Sequence, residues 1–127
     1  MTTYSPDEFA DHLMGAIPKV ARETVSVVRR GALNVKNEGR RNSVASSGRS
    51  ARHAPQTIGF DDVTADAAVI SAEVGYLGGG QAKLGTLLEF GGGRDHSPPH
   101  RDLSRALEAE DPRFVRAMGD AGEKALE

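Results

Sequence analysis

The chain has 127 residues with no cysteine and no tryptophan, and its 16 Lys and Arg nearly balance its 18 Asp and Glu. The absence of cysteine excludes disulfides and thiolate metal sites, and the balanced charge argues against a general nucleic-acid or membrane coat. The length suits one domain, but aromatic residues are only 5% of the sequence, so we expect a thin core to which neighbouring copies contribute burial.

The N-terminal sequence lacks the basic-then-apolar order of a signal peptide. No apolar run approaches the roughly 20 residues that a membrane-spanning helix needs. We therefore expect a protein that is made in the cytosol and does not bind membranes.

The first predicted element is a long amphipathic helix over residues 5–38. Ser5 and Glu8 form a capping box around Pro6, which suits the first turn of a helix. Apolar or small residues then recur in steps of three and four: Phe9, Leu13, Ala16, Ile17, Val20, Thr24, Val27, Val28, Gly31 and Val35. This stripe keeps its phase across Pro18, so we expect the proline to kink the helix without ending it.

A mobile basic loop is predicted over residues 39–55, where Ser, Arg and Gly dominate and the apolar stripe stops. From Arg29 to His53 the chain carries seven basic residues against one acid. From Arg101 to Glu127 it carries five bases against seven acids. These opposite biases favour attraction between the two regions, within one copy or between copies.

A sheet region is predicted over residues 56–90. Residues 56–60 are compatible with a strand, residues 67–76 alternate strictly, and the acidic turn at 61–66 between them predicts an antiparallel hairpin.

Residues 82–90 fit either a third strand or a short helix, and the spacing of their leucines favours the helix. A Gly/Pro loop follows over residues 91–101, and residues 102–127 are predicted to form C-terminal helices, a short one capped by Asp102 and a final one opened by Asp111. The order of elements indicates a single α+β domain with a long N-terminal amphipathic helix, a small antiparallel sheet and C-terminal helices.

Three motifs are candidate chemical sites. Glu73 and Glu89 could form an acid and base pair, but Glu73 falls on the polar side of its strand and nothing in the sequence groups the two. The glycines of residues 75–81 begin like a phosphate loop but lack its Lys and Ser or Thr, so we predict no cofactor. His96 and His100 suggest a metal hydrolase, but Pro98 and Pro99 prevent the helix that would bring the two imidazoles together. Neither a metal site nor an enzyme is therefore predicted.

Three short segments occur in the order of the predicted elements: GALNVKN at residues 31–37, LLEFG at 87–91 and LSRAL at 103–107. Together with that order, they resemble the tail-completion or head–tail connector (neck) proteins of siphophages, over nearly the whole chain. The chain departs from this family at His100 and at Ala54, which leaves open whether it completes the tail or terminates the tail tube.

The resemblance implies a structural virion protein, a minor tail component in a ring, expected to be a hexamer, at the junction through which DNA passes. Its partners would be copies of itself, connector or stopper proteins and tail-tube or terminator proteins, with nonspecific contact to passing DNA. As subunit or DNA-facing contacts we predict Arg40, Arg41, Arg49, Arg52, Arg94, Asp95 and Arg101. The alternative of another class is a small sequence-nonspecific DNA-binding protein that uses the basic stretch 29–53.

Overall fold

The computed structural model describes residues 5–46, 51–66, 69–78, 80–92 and 98–126. Two long helices lie side by side, and short antiparallel strands and a short helix pack against them. The α+β class predicted from the sequence is confirmed.

In chain order, the elements are α1 (Pro6–Ser46), β1 (Ile58–Phe60), β2 (Thr64–Asp66), β3 (Val69–Ser71), β4 (Val74–Tyr76), α2 (Gly85–Phe90) and α3 (Asp102–Leu126), with 3-10 turns at Pro55–Thr57 and Gly80–Leu84.

Helix α1 begins where the sequence predicts. The Ser5 hydroxyl oxygen accepts a hydrogen bond from the Glu8 N–H at 3.2 Å, and the Glu8 carboxylate accepts one from the Ser5 N–H at 3.0 Å. This reciprocal cap satisfies N–H groups that a helix start would otherwise leave unpaired. The helix continues through Pro18, as the phase of the apolar stripe predicts.

The predicted end of α1 at residue 38 is wrong, because the helix runs on to Ser46 and includes the first half of the predicted mobile loop 39–55. Gly39 allows close packing, since a Cβ there would come within 2.8 Å of the Leu103 side chain on α3. The Asn42 amide donates to a backbone carbonyl of α3 at 3.0 Å. These contacts outweigh the weak helix propensity of Gly, Asn and Ser.

The strands form one interrupted hairpin. The predicted antiparallel pairing is confirmed: β1 pairs with β4, with Ile58 opposite Tyr76, and β2 pairs with β3, with Ala65 opposite Ile70. The predicted turn at residues 61–66 is wrong, because its second half is strand β2. The residues that join β2 to β3 lie outside the described part of the chain.

Asp62 lies where the hairpin ladder is interrupted. Its carboxylate accepts hydrogen bonds from the Val63 N–H at 2.8 Å and from Arg29 at 3.2 Å. These bonds hold the chain to α1 and to a local turn, so the acidic residues that suggested a turn break the strand instead. The Asp61 N–H still reaches the Glu73 carbonyl across the break at 3.2 Å.

Helix α2 confirms the preference for a helix over a third strand. Gly85, at its start, lies so close to Tyr76 that a Cβ would stand 2.5 Å from the ring, so only glycine fits there. Gly91 ends the helix with a φ of 73°, and its N–H donates to the Leu87 carbonyl at 2.7 Å. The left-handed backbone at this position favours glycine.

The C-terminal region is one helix, α3, and the predicted division into two helices is wrong. Pro112 lies inside α3, where it removes one backbone hydrogen bond. The helix continues because it packs along α1: the Phe114 ring lies 3.0 Å from the position of a Gly31 Cβ, and Ala121 is buried.

The core lies between α1, α3 and the first strand, and it is thin, as the composition predicts. Its buried apolar residues are Ala32, Val35, Ala51, Ala54, Ile58, Ala106, Ala121 and Ala125. Among the described residues, Ile58 is the one large apolar side chain that is fully buried. The helices in this part of the chain include none with the length and apolar character needed to cross a membrane.

Candidate functional site

Of the seven contact residues predicted from the sequence, four can be placed. Arg49, Arg94 and Asp95 lie outside the described residues. Arg40, Arg41, Arg52 and Arg101 are distributed over α1, the turn after it and the start of α3.

Arg40 has a structural role within the chain. Its Nε donates to the Ile58 carbonyl at 2.8 Å, and its terminal nitrogen donates to the Gln56 carbonyl at 3.4 Å. A guanidinium that binds two backbone carbonyls fixes the start of β1 against α1. The first predicted contact residue therefore holds the fold and is only half-exposed.

The other three arginines are exposed and bind neighbouring side chains. Arg41 forms an ion pair with Glu38, and this hydrogen bond is the main reason why the pKa of Glu38 is lowered. Arg52 donates to the His53 ring at 3.1 Å, and Arg101 donates to Glu108 at 2.8 Å. Each of these three guanidinium groups is therefore held by a neighbouring side chain.

A buried polar junction joins α1, α2 and α3 at one end of the helix pair. The Glu89 carboxylate, on α2, accepts hydrogen bonds from the Leu103 N–H at 3.0 Å, the Ser104 N–H at 2.8 Å and the Ser104 hydroxyl at 2.6 Å. An acid thus caps the start of α3 from another element, where the helix dipole favours negative charge. Asp102, predicted as this cap, has another role.

Asp102 is fully buried and connects the start of α3 to the end of α1. Its carboxylate accepts from the Ser46 hydroxyl at 2.9 Å and from Arg105 at 2.8 Å. The His100 Nδ1 lies 3.2 Å from the Ser46 oxygen and 3.8 Å from Asp102. In a catalytic triad the imidazole stands between hydroxyl and carboxylate, whereas here the serine stands between them. The cluster therefore has the geometry of a structural link.

The metal hypothesis gains no ligand set from these positions. His96 lies outside the described residues, and His100 faces Ser46 and Asp102. Among the residues that the structure describes, no three His, Asp or Glu side chains are grouped in a way that could hold an ion.

An open apolar groove, which we call the central groove, lies between α1, the hairpin, α2 and α3. Its volume is about 670 Å³. The lining is mainly apolar, with Val28 and Val35 from α1, Ile70 and Val74 from the hairpin, Phe90 from α2, and Leu103, Leu107 and Phe114 from α3. Phe90 and Leu107 are largely exposed at its edge. Such a surface is typical of a binding site for an apolar partner.

The central groove is not predicted from the sequence, because the apolar positions of α1 and α3 have the same spacing whether they lie in a core or line a groove. The available signal was an apolar stripe too long for one thin core to cover. Only the tertiary arrangement shows that the helices and the hairpin leave a gap between them.

The first 17 residues of α1, residues 6–22, form a helical arm beyond the end of α3. Lys124, near the end of α3, reaches Glu23 at 3.5 Å, while Ser46 meets the start of α3, so the two helices run antiparallel from Glu23 onward. Every residue of the arm whose side chain is described is exposed. These include the large apolar residues Met14, Ile17 and Val20.

No protein-family model, no curated protein and no solved structure matches this chain.

Proposed function

We propose that the protein is a structural subunit of the neck of a long-tailed phage, a tail-completion component that forms a ring at the head–tail junction. In this role it joins the tail to the head and leaves a channel for DNA. It makes and breaks no covalent bond, and it needs no cofactor.

The observation that carries the proposal is the imbalance between buried and exposed apolar side chains. In the described chain the core consists mostly of alanine, whereas large apolar residues are exposed on the arm and at the edge of the central groove. Domains of this size depend on burial for their stability, and identical copies that cover these surfaces supply it.

The order of the elements gives the proposal its particular form. A long amphipathic helix, a hairpin, a short helix ending in Phe90-Gly91 and a C-terminal helix follow one another as in the neck proteins that the sequence resembles. On that likeness we propose a hexamer, and a tail terminator that caps the tail tube is the variant closest to it.

Nonspecific DNA binding by residues 29–53 has less support from the described side chains. Arg29 binds Asp62, Arg40 binds backbone carbonyls and Arg41 binds Glu38. A DNA-binding surface needs several Lys or Arg side chains that contact phosphates. Arginines that are held by other groups of the chain are less available for such contacts.

The test is to locate the protein. Electron microscopy of intact particles with an antibody against the chain should place it at the head–tail junction, in one ring per particle. Particles that lack the chain altogether would contradict the proposal.

A further inference from the structure

We infer that the arm of one copy binds in the central groove of a second copy, so that each groove is completed by its neighbour. The inference rests on the proposed ring and names the contact that would build it. It joins two surfaces that the single chain leaves open.

The arm does not fold back into its own groove. Helix α1 is continuous from Pro6 to Ser46, and it supplies both the arm and the groove wall that contains Val28. At about 1.5 Å per residue, Ile17 lies about 16 Å along the helix axis from Val28. Because the helix is not interrupted between the arm and Val28, the arm cannot turn back into the groove of its own chain, and a second copy is the occupant that we infer.

The dimensions of the two surfaces agree. Along α3 the groove extends from Leu103 to Phe114, which is about 16 Å of helix at 1.5 Å per residue. The arm is about 25 Å long on the same measure, so about three of its turns span the groove. A helix that binds in a groove presents anchors at i, i+3 and i+7, which in the arm are Met14, Ile17 and Ala21.

The charges are also complementary. Within the part of the arm that carries the anchors, residues 14–22, both charged residues are basic, namely Lys19 and Arg22, and Asp111 lies on the groove wall. Among the described residues none of these three has an ion-pair partner. By contrast, the Glu110 carboxylate of the same wall accepts a hydrogen bond from the Asn34 amide at 3.0 Å and forms an ion pair with Arg113 at 3.1 Å. Arg22, about a quarter turn around the helix from these anchors, is therefore the base that can meet Asp111 at the edge of the groove, whereas Lys19 faces away from it.

The symmetry of the contact favours a ring. Each copy offers one arm and one groove, and the two are different surfaces. Such a head-to-tail contact repeats from copy to copy and closes into a ring when the rotation allows it. Identical chains can in this way fill every groove without another protein.

Cross-linking tests the contact directly, because the natural chain contains no cysteine. An Ile17→Cys chain is mixed with a Leu107→Cys chain under mild oxidation, and the products are separated without reducing agent. The result expected is a disulfide-linked pair between the two variants, at least about tenfold above controls. A single chain that carries both substitutions should give a ladder of cross-linked species that stops at the ring size.

The controls match exposure but lie outside both surfaces. Val44, which is 67% exposed, replaces Ile17, which is 60% exposed, as the cysteine position on α1. Val115, which is 61% exposed, replaces Leu107, which is 60% exposed, on α3. Neither control residue lines the groove or belongs to the arm, so these mixtures should remain uncross-linked.

A second measurement uses the oligomer itself. Ile17→Glu should shift the assembly to monomers with unchanged helical circular dichroism, whereas Val44→Glu should leave the assembly intact. If the wild type assembles but neither cross-linking nor Ile17→Glu acts as described, the arm-in-groove contact is wrong and the ring proposal survives. If the wild type is a monomer at every concentration, both are wrong.

Discussion

The carboxylate of Glu89 makes three hydrogen bonds to the first turn of α3, although it belongs to α2. It is almost fully buried, so the donors that it satisfies have little access to water. The short helix α2 is thereby fixed in front of α3, and with it Phe90 at the edge of the central groove.

Glu89→Gln should therefore lower the free energy of unfolding by about 1–3 kcal/mol, because a neutral amide accepts with one oxygen and turns its NH₂ toward an N–H donor. Urea unfolding at one fixed protein concentration measures the change.

The matched control is Glu73→Gln. The Glu73 side chain is exposed on the hairpin, and a substitution there should change stability by no more than about 0.5 kcal/mol. Equal effects of the two substitutions would show that Glu89 is not the cap of α3.

Tyr76 should make the stability of the fold decrease at alkaline pH. Burial raises its pKa above the ordinary value of 10.0, and the nearby Asp102 and Glu89 carboxylates act in the same direction, while Ser43 opposes them. Below about pH 10 the phenol is protonated in both the folded and the unfolded chain, and its contribution to the free energy of unfolding is fully present. Above that pH the unfolded chain loses the proton first, so stability falls as pH rises through the folded pKa.

Removing Tyr4 isolates this titration, since the chain has only two tyrosines. In a Tyr4→Phe background, the phenolate absorbance of the folded protein should rise at higher pH than that of the urea-unfolded protein. Tyr76→Phe should remove the corresponding loss of stability. Coincident titration curves for the folded and unfolded chains would contradict the assignment.

The effect of replacing Pro112 on stability distinguishes one continuous C-terminal helix from two. In the interior of α3, Pro112→Ala restores a backbone hydrogen bond and removes a ring that clashes with the preceding turn. We expect a gain in stability of about 1–3 kcal/mol by urea unfolding.

A neutral or destabilising effect of Pro112→Ala would indicate two separate helices. If a second helix began at Asp111, as the sequence pattern predicts, Pro112 would occupy the favoured first position, and its replacement would be neutral or destabilising. In the variant, the new N–H at position 112 should donate to the carbonyl of residue 108 if α3 is continuous, and slow backbone amide exchange at position 112 would show it.

Boundaries that a local signal marks could be predicted from the sequence, whereas boundaries that depend on distant contacts could not. The capping box of Ser5 and Glu8 is a local signal, and so is the glycine that ends α2. The extension of α1 to Ser46 and the continuity of α3 depend on contacts between segments far apart in the chain. Local propensity contains no information about those contacts.

The candidate site was harder to predict, for the same physical reason. The arginines were singled out by their density in the sequence, but Arg40 folds back onto Ile58 and Gln56 instead of facing a partner. From the sequence, Glu89 is a candidate only for an acid and base pair with Glu73, and no local pattern marks it as the cap of a helix that begins at Asp102. The central groove and the arm arise from where α3 ends relative to α1, which no single segment specifies.

In the molecule as a whole, the described core is made largely of alanine, whereas many large apolar residues are exposed. Burying one such side chain fully contributes about 1.5–3 kcal/mol, so several of them at a subunit contact would add substantially to a marginal fold. Stability should accordingly rise with protein concentration, as it does when assembly is coupled to folding.

Sedimentation velocity of the wild-type protein over a wide concentration range tests whether the chain is a ring subunit. We expect one closed oligomer, a hexamer, that dissociates on dilution without larger open polymers. A single monomeric species at every concentration would contradict it.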